Sequence, residues 1–238
     1  MPFKPSLEAS GVEPAIELWG KAGVLYLAQL LNRGYTKYLP TNAGWAEVLA
    51  GSGSTSQRPA EIQLITGATA SSQSMARGDA SYALSRGATS SSYINWDREL
   101  WFFAQVMRVA NGDAQTTGRV QLKQALTEGA LGAKGIGFRL DNLTLVGESY
   151  GTALASTGSF ALTANYYYTI AFRLIPAVSI EWFYGTSFPL TSLGKTTTAA
   201  DIPTGEGTAQ GFLALSLLNG TTAAARAAYV SDIWIWQA

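Results

Sequence analysis

The sequence predicts an all-β fold in which two antiparallel sheets pack face to face, and three observations support this prediction. Apolar residues recur at every second position in many short segments, for example over residues 178–184, as expected of strands with one buried face. Glycine, proline and asparagine separate these segments at close spacing, which is typical of tight turns. No strand–helix–strand alternation is visible, so a parallel sheet is not expected. The number of segments fits the two sheets of a jelly-roll sandwich.

Residues 1–44 have a different pattern and are predicted to form a partly helical arm that precedes a jelly-roll domain over residues 45–238. Pro14 suits the first turn of a helix. Apolar residues then recur at helical spacing as far as Leu30. Gly20 and Gly23 would each weaken a helix by about 1 kcal/mol relative to alanine, so a pair of strands is the alternative.

This arm is too apolar to stand free in water, so we expect it to anchor the protein in an assembly. Burial against a neighbouring subunit would contribute roughly 25 cal/mol per Å² of apolar surface. Charged residues make up only 13% of the chain, about half the usual share, and a weakly charged surface opposes self-association less. The side chains expected to dock are Leu18, Trp19, Leu25, Tyr26, Leu27 and Leu30.

From residue 44 onward the apolar period is two, and each such segment predicts a strand. In residues 119–126, Val120 and Leu122 point to one face while Gln121 and Lys123 point to the other. Further strands are predicted over residues 166–175, 178–184, 212–218 and 229–236.

Two features refine the strand prediction. Residues 99–110 are apolar at successive positions, which predicts a strand covered on both faces. Asp141-Asn142 separates two short apolar segments and predicts a hairpin turn.

The composition excludes several kinds of chemistry. The chain contains no cysteine and no histidine, which removes disulfides, thiol chemistry, imidazole bases and thiolate or imidazole zinc sites. Its 16 basic and 16 acidic residues cancel, so neither nucleic acid nor an anionic membrane surface is an expected partner. Apolar segments are too short to span a bilayer, and no D-x-D cluster suggests a metal. We therefore expect no cofactor and no membrane insertion.

Two motifs resemble catalytic signatures without their essential parts. The segment Gly147-Glu-Ser-Tyr-Gly151 has the spacing of a nucleophile elbow, but a serine nucleophile needs a histidine base. Gly194-Lys195-Thr196 has the end of a phosphate-binding loop, but Pro189 stands where that loop needs its first glycine. The first segment is interpreted as a strand-edge turn, and the second is rejected as a phosphate-binding loop.

Asp97 and Glu99 form a pair of carboxylates at the start of a predicted strand. Two carboxylates on one face are what glycoside hydrolysis requires, which makes a retaining glycosidase one hypothesis. The alternative, which we favour, is that they are edge charges that pair with Arg98 or Arg119.

Aromatic residues near turns are candidates for a sugar-stacking platform. Trp101 and Trp182 lie in predicted strands and are expected in the core. Trp45, Tyr93 and Trp96 lie close to turn residues, so we predict that they form an exposed carbohydrate platform.

From residue 51 onward, several short motifs follow one another in a characteristic order. They are Gly51-Ser-Gly-Ser-Thr, Arg58-Pro59, Leu64-Ile-Thr-Gly67, Gly135-Ile-Gly-Phe-Arg-Leu-Asp141, Tyr166-Tyr-Tyr-Thr-Ile-Ala-Phe-Arg173, Val178-Ser-Ile-Glu-Trp-Phe-Tyr-Gly185, Asp201-Ile-Pro203, Asn219-Gly-Thr, Ala225-Arg226 and Tyr229-Val-Ser-Asp232. In this order, over about three-quarters of the chain, they resemble the concanavalin A-like (laminin-G-like) jelly-roll domains of tailed-phage structural proteins.

The resemblance implies a place in a virion, in a tail fibre or on the capsid surface as a decoration, usually without catalysis. The E-x-D-x-E strand of related glucanases and the acidic cluster and histidine of metal-dependent legume lectins are absent. The resemblance therefore carries over neither an activity nor a calcium site.

The sequence thus predicts a non-enzymatic virion structural protein that is displayed on the particle surface and acts through protein–protein assembly. Its expected partners are other virion proteins and copies of itself, as a homo-oligomer such as a trimer, after synthesis in the host cytoplasm. The alternative is a lectin-like carbohydrate- or receptor-binding module that attaches to a host surface glycan.

Overall fold

The computed structural model describes residues 24–28, 45–50, 53–58, 61–68, 70–71, 73–79, 94–109, 116–124, 130–205, 212–221 and 225–237. These residues form fifteen β-strands and a short 3-10 helix over Ala199–Asp201. The strands are β1 (Val24–Ala28), β2 (Trp45–Ala50), β3 (Ser54–Arg58), β4 (Glu61–Ile65), β5 (Gln73–Asp79), β6 (Leu100–Arg108), β7 (Thr117–Lys123), β8 (Gly135–Asp141), β9 (Thr144–Tyr150), β10 (Leu154–Ala161), β11 (Tyr167–Ile175), β12 (Ser179–Gly185), β13 (Thr191–Thr196), β14 (Phe212–Leu218) and β15 (Ala227–Gln237). The described part of the chain contains no helix long and apolar enough to cross a membrane.

The strands form two sheets that pack into a sandwich. One sheet has eight strands in the order β13-β12-β11-β6-β15-β4-β3, with β1 also paired to β15. The other sheet has seven strands in the order β10-β9-β8-β7-β14-β5-β2. Strand pairs within the described residues are antiparallel throughout. The predicted all-β jelly-roll sandwich is confirmed.

The core lies between the two sheets and includes alternate residues of β6, β7, β8 and β11. Phe102 of β6 and Phe172 of β11 stack with ring centroids 5.0 Å apart. Phe138 of β8 reaches across from the other sheet, with its centroid 6.4 Å from that of Phe172. All three side chains are fully buried, so aromatic contacts join the two layers.

Trp182 of β12 connects the sheets by a hydrogen bond as well as by packing. Its indole is buried, and Nε1 donates to the backbone oxygen of Gly137 on β8 at 3.1 Å. The ring lies against Gly147 of β9 so closely that a Cβ at that position would lie 2.6 Å from Cγ of Trp182. Glycine at position 147 is therefore required by the close approach of the indole.

Both refinements of the strand prediction are confirmed. Asn142 has a φ of 53° and lies in the turn between β8 and β9. Strand β6 is covered on both faces, because Trp101 and Phe103 form a second buried cluster with Phe183 and Leu190 on the side away from the main core. Trp101 and Trp182 are both buried, as predicted.

The prediction of a helix is wrong for residues 24–28, which form strand β1. Strand β4 pairs with the first half of β15, as far as Ser231. The second half of β15, from Ile233 to Trp236, pairs with β1 instead. An uncovered strand edge is a template for further pairing, which explains why the strand alternative holds here.

Three of the residues predicted to dock on a neighbour, Leu25, Tyr26 and Leu27, lie in β1, whose backbone pairs within its own chain. Leu18, Trp19 and Leu30 lie outside the described residues. The role of these six residues in assembly, and the domain boundary after residue 44, stay predictions.

Candidate functional site

Three adjacent strands of the seven-stranded sheet, β7, β8 and β9, bring polar side chains together on the face turned away from the core. Val120 of β7 lies opposite Phe138 of β8, and both are buried in the core. Because side chains alternate along a strand, their neighbours point outward. The pairing places Arg119 opposite Arg139 and Gly137 opposite Glu148. We call Arg119, Gln121, Arg139, Asp141 and Glu148 the outer-face cluster.

Arg139 occupies the centre of the outer-face cluster and is held by two carboxylates. Its Nε donates to Oε1 of Glu148 at 2.5 Å, and its Nη1 forms an ion pair with the carboxylate of Asp141. The hydroxyl of Thr117 also donates to Asp141, at 3.1 Å. Both acids of the cluster are therefore engaged with the same arginine, which fixes their orientation.

Other polar atoms of the cluster lack a hydrogen-bond partner. In the part of the chain that the structure describes, Nε of Arg119, Nε2 of Gln121 and Oε2 of Glu148 are buried and make no hydrogen bond. Gln121 is 1% exposed, Glu148 is 3% exposed and Arg119 is half-buried, so solvent does not reach these three atoms. A buried polar group without a partner costs about 1–3 kcal/mol. The cluster thus has two unused donors and one unused acceptor.

The electrostatics of Arg119 distinguish it from Arg139. Burial lowers the pKa of the Arg119 guanidinium below its ordinary value, Glu148 raises that pKa through its negative charge, and Arg139 lowers it. No ion pair between Arg119 and a carboxylate forms within the described ranges. Arg119 therefore carries a partly desolvated positive charge without a counter-ion of its own.

The side chains around the cluster limit where a ligand can lie. Tyr150 is half-buried and follows Glu148 by two positions on β9, so it shares the outward face. Leu131 is buried against β8. It lies so close to Gly135 that a Cβ at that position would be 2.8 Å from Cδ2 of Leu131. On the other side of β7, the small residues Ala214 and Ser216 of β14 lie opposite Gln121 and Arg119.

This arrangement suits recognition of a polar ligand by hydrogen bonds. Donors and an acceptor lie on one face of a rigid sheet near the ring of Tyr150, but these atoms are buried, so a ligand reaches them only where their cover is displaced. Sugar hydroxyls both donate and accept, and a ring next to polar groups is an arrangement on which a sugar can stack. Within the described residues, no group of three or more acidic side chains could hold a metal ion.

The predicted aromatic platform is wrong for Trp96. Its side chain is 0% exposed and belongs to the main core. The loop is drawn inward because the backbone N–H of Trp96 donates to the oxygen of Gly205 at 3.1 Å. The N–H of Gly205 in turn donates to Asp97 at 2.7 Å. Trp45 is the first residue of β2, where its backbone lies opposite Gly78, and Tyr93 lies outside the described residues.

The carboxylates of Asp97 and Glu99 are engaged separately. Glu99 binds Arg173 of β11, at 2.9 Å from Nε and 2.8 Å from Nη2, and accepts a hydrogen bond from the indole of Trp101 at 3.2 Å. Its partner is thus neither Arg98 nor Arg119, because the pairing of β6 with β11 brings Arg173 opposite Trp101. The two acids do not flank a shared cleft in the way that glycoside hydrolysis needs.

Ser149, at the centre of the elbow-like motif, is fully buried within strand β9. Strand β10 follows after a short turn, so the strand–helix context of a nucleophile elbow is absent in this segment. Gly194 to Thr196 lie in strand β13. The first motif thus lies mostly within a strand and not in the predicted strand-edge turn, and the second lies in a strand.

Several solved structures are similar to this chain in fold. A protein of unknown function from Shewanella oneidensis MR-1 is 12% identical, with a TM-score of 0.55, over 86% of this chain and 84% of that one. An endo-beta-1,4-glucuronan lyase from the fungus Trichoderma reesei is 9% identical, with a TM-score of 0.55, over 90% and 96%.

The carbohydrate recognition domain of Emp47p is 11% identical, with a TM-score of 0.55, over 89% of this chain and 94% of that one. At these identities the likeness concerns the fold alone. No protein-family model matches the chain, and no curated protein matches it by sequence.

Sequence reasoning missed the outer-face cluster. The alternation in residues 119–126 predicts that Arg119 and Gln121 lie on the polar face of a strand. Polar residues are found on this face of any surface strand, so the pattern does not indicate a site. Their connection to Arg139 and Glu148 depends on strand register, which these short segments do not determine. In the sequence, Glu148 belongs to the elbow-like motif, which gives no reason to connect this residue with Arg119.

Proposed function

We propose that this protein is a non-catalytic carbohydrate-binding module and that the outer-face cluster is its binding surface. The proposal rests on one observation: three buried polar atoms, on Arg119, Gln121 and Glu148, have no partner within the described residues. A saccharide that displaces the cover of these buried atoms would provide the missing partners, because each hydroxyl can accept from one group and donate to another. The carbohydrate recognition domain of Emp47p, which has the same fold, supports the proposal.

The geometry favours a short stretch of glycan that lies across the strands. Gln121 on β7 and Glu148 on β9 are separated by β8, hence by about 10 Å at the usual strand spacing. Tyr150 borders this span and offers a half-buried ring for stacking. Weak binding of one or two sugar units, strengthened by several copies of the module, is the expected mode.

The test measures glycan binding by the full chain and by two matched leucine variants. A glycan array identifies ligands, and isothermal titration calorimetry then compares wild type with Gln121→Leu. Loss of the Gln121 amide should weaken binding about tenfold, since one hydrogen bond contributes about 1 kcal/mol or somewhat more. The control is Gln105→Leu, the same change on β6 of the other sheet. Absence of glycan binding by the wild type, or equal affinity of both variants, would contradict the proposal.

We also propose a virion setting for this module, as a surface-displayed structural protein of a tailed phage that assembles with copies of itself and with other virion proteins. Two observations favour assembly. Charged residues are only 13% of the chain, and the adjacent residues Tyr166 and Tyr167 are exposed, at 61% and 40%. Exposed large side chains that lie next to each other are typical of contacts between proteins.

The oligomeric state of the full chain tests this setting independently of glycan binding. Analytical ultracentrifugation at micromolar concentration should give a closed homo-oligomer, for which a trimer is our expectation. The variant Tyr166→Ser should shift that equilibrium toward monomer. A wild-type protein that stays monomeric at high concentration would contradict assembly and leave the binding proposal in place.

A further inference from the structure

A buried arginine, Arg108, lies inside the sandwich beside a small cavity. We propose that this cavity binds a monoatomic anion, with chloride as its usual occupant, and that the anion is the counter-ion of Arg108. The site lies between the sheets and apart from the outer-face cluster, so this inference is independent of glycan binding.

Arg108 is the last residue of β6, and its side chain points into the sandwich. Val106, two positions earlier, belongs to the main core, and alternate side chains of a strand share a face. Arg108 is only 2% exposed. Its Nε donates to the backbone oxygen of Asn142 at 3.1 Å, and its Nη1 donates to that of Ala227 at 3.2 Å. The two carbonyl groups hold the guanidinium in place, but they carry no net charge that could neutralise it.

The positive charge of Arg108 has no acidic partner in the part of the chain that the structure describes, where the ion pairs involve other basic residues. Burial, together with the positive charge of Arg226, lowers the pKa of Arg108 from its ordinary value to about 10. The guanidinium is therefore still charged at neutral pH. Burial of a charge is unfavourable unless an opposite charge pairs with it. An anion that reaches Arg108 would thus stabilise the folded protein.

The cavity beside Arg108 lies between the two sheets. The space open to the centre of a water-sized sphere is about 10 Å³. Arg119 also borders this cavity, but its side chain lies on the outer face of β7, whereas that of Arg108 is turned inward. The other inward-facing side chains around the cavity are apolar and come from both sheets: Leu64, Val106, Val120, Leu140, Ala228 and Val230.

The size and the lining of the cavity indicate the class of anion. A space of this size accommodates a particle like water, and a chloride ion is only slightly larger. Carboxylate, phosphate and sulfate groups have at least three heavy atoms, so they are too large. Water is the competing occupant, but a buried water needs about two to four polar partners, and Arg108 is surrounded here by apolar side chains. A halide gains from the full charge of the guanidinium, which a neutral water does not.

The alternative is that Arg108 acts only as a clamp between the β8–β9 turn and the start of β15. Both roles predict that loss of the guanidinium destabilises the protein, because two buried hydrogen bonds are lost. The roles differ in their response to chloride. A clamp is indifferent to the anion in solution, whereas an anion site makes the stability of the protein depend on chloride concentration.

The test measures the melting temperature of the full chain while sodium chloride replaces sodium gluconate at constant ionic strength. Gluconate is too large for the cavity. If the dissociation constant is about 10 mM, about 100 mM chloride should raise the melting temperature of the wild type by about 3–6 °C. Sodium bromide should act like chloride, and sodium acetate like gluconate. Arg108→Gln should lose the response to chloride, whereas Arg98→Gln, which changes an exposed arginine, should respond as the wild type does.

A second measurement uses the wild type alone and decides the question even if Arg108→Gln does not fold. Crystals grown in sodium bromide should give an anomalous scattering peak inside the cavity, within hydrogen-bond distance of the Arg108 guanidinium. Equal melting temperatures in chloride and gluconate would overturn the proposal. An undiminished chloride response in Arg108→Gln, or a cavity without a bromide peak, would overturn it as well. None of these results bears on glycan binding, which the calorimetric titration tests separately.

Discussion

The contact between Gly147 and Trp182 allows one substitution to be treated quantitatively. In Gly147→Ala, the new Cβ would lie 2.6 to 2.8 Å from three ring carbons of Trp182. The indole cannot retreat without cost, because it is fully buried and Nε1 donates to Gly137 at 3.1 Å. The substitution therefore forces either an overpacked core or the loss of a buried hydrogen bond.

The magnitude follows from three opposing effects. Overpacking a core costs about 1–3 kcal/mol, and loss of the Trp182 hydrogen bond costs about 1 kcal/mol. Replacing glycine by alanine within a strand returns about 0.5–1 kcal/mol. We expect Gly147→Ala to be less stable by about 2 kcal/mol, which corresponds to a fall of about 4–8 °C in melting temperature for a chain of this size.

Gly118 provides the matched control, since it faces the same core from β7. A Cβ at Gly118 would meet Leu140 and Leu217 at 3.6 Å, which is ordinary van der Waals contact, so Gly118→Ala should gain about 0.5–1 kcal/mol. Urea denaturation measures both variants, and Trp182→Phe should partly rescue Gly147→Ala in the double variant. If Gly147→Ala is as stable as Gly118→Ala, the packing of the two sheets described above is wrong.

Three further stability predictions can be measured in the same urea series. Arg108→Met should cost about 2 kcal/mol, because a buried guanidinium donates to the backbone oxygens of Asn142 and Ala227. Asn142→Val should cost about 1–2 kcal/mol at its φ of 53°, while Asn142→Gly should be close to neutral. Thr66→Val should cost about 1–3 kcal/mol, since the Thr66 hydroxyl donates to buried Asn219 at 2.8 Å. Wild-type stability of Arg108→Met, Asn142→Val or Thr66→Val would contradict the corresponding prediction.

The fold could be predicted from the sequence because its strands carry their own periodicity. Apolar alternation identified β7, β11 and β12, and a two-residue turn identified the β8–β9 hairpin. These patterns are local and need no knowledge of the partner strand. The strand over residues 24–28 was harder to predict from the sequence. It pairs with the second half of β15, which β4 does not cover and which lies at the other end of the sequence.

The candidate site could not be predicted from the sequence, because it depends on the register in which β7, β8 and β9 pair. Arg119, Arg139 and Glu148 are brought together only by the pairing of three strands. The prediction for Trp96 was wrong for a related reason. The turn residues next to it suggested an exposed side chain, whereas a hydrogen bond between the backbones of Trp96 and Gly205 holds this loop against the core. The local sequence thus indicates the secondary structure of a segment, whereas long-range strand pairing determines which side chains that segment contacts.

Chemical-shift mapping tests the central claim, that the outer-face cluster binds carbohydrate, most directly. The ¹⁵N-labelled full chain is titrated with a glycan from the array, and backbone and side-chain amide signals are followed. We predict saturable shifts concentrated on β7, β8 and β9, including the side-chain amide of Gln121 and the Nε–H of Arg119. Shifts confined to another surface, such as the loop around Asp97, or no shifts at millimolar glycan, would contradict the account.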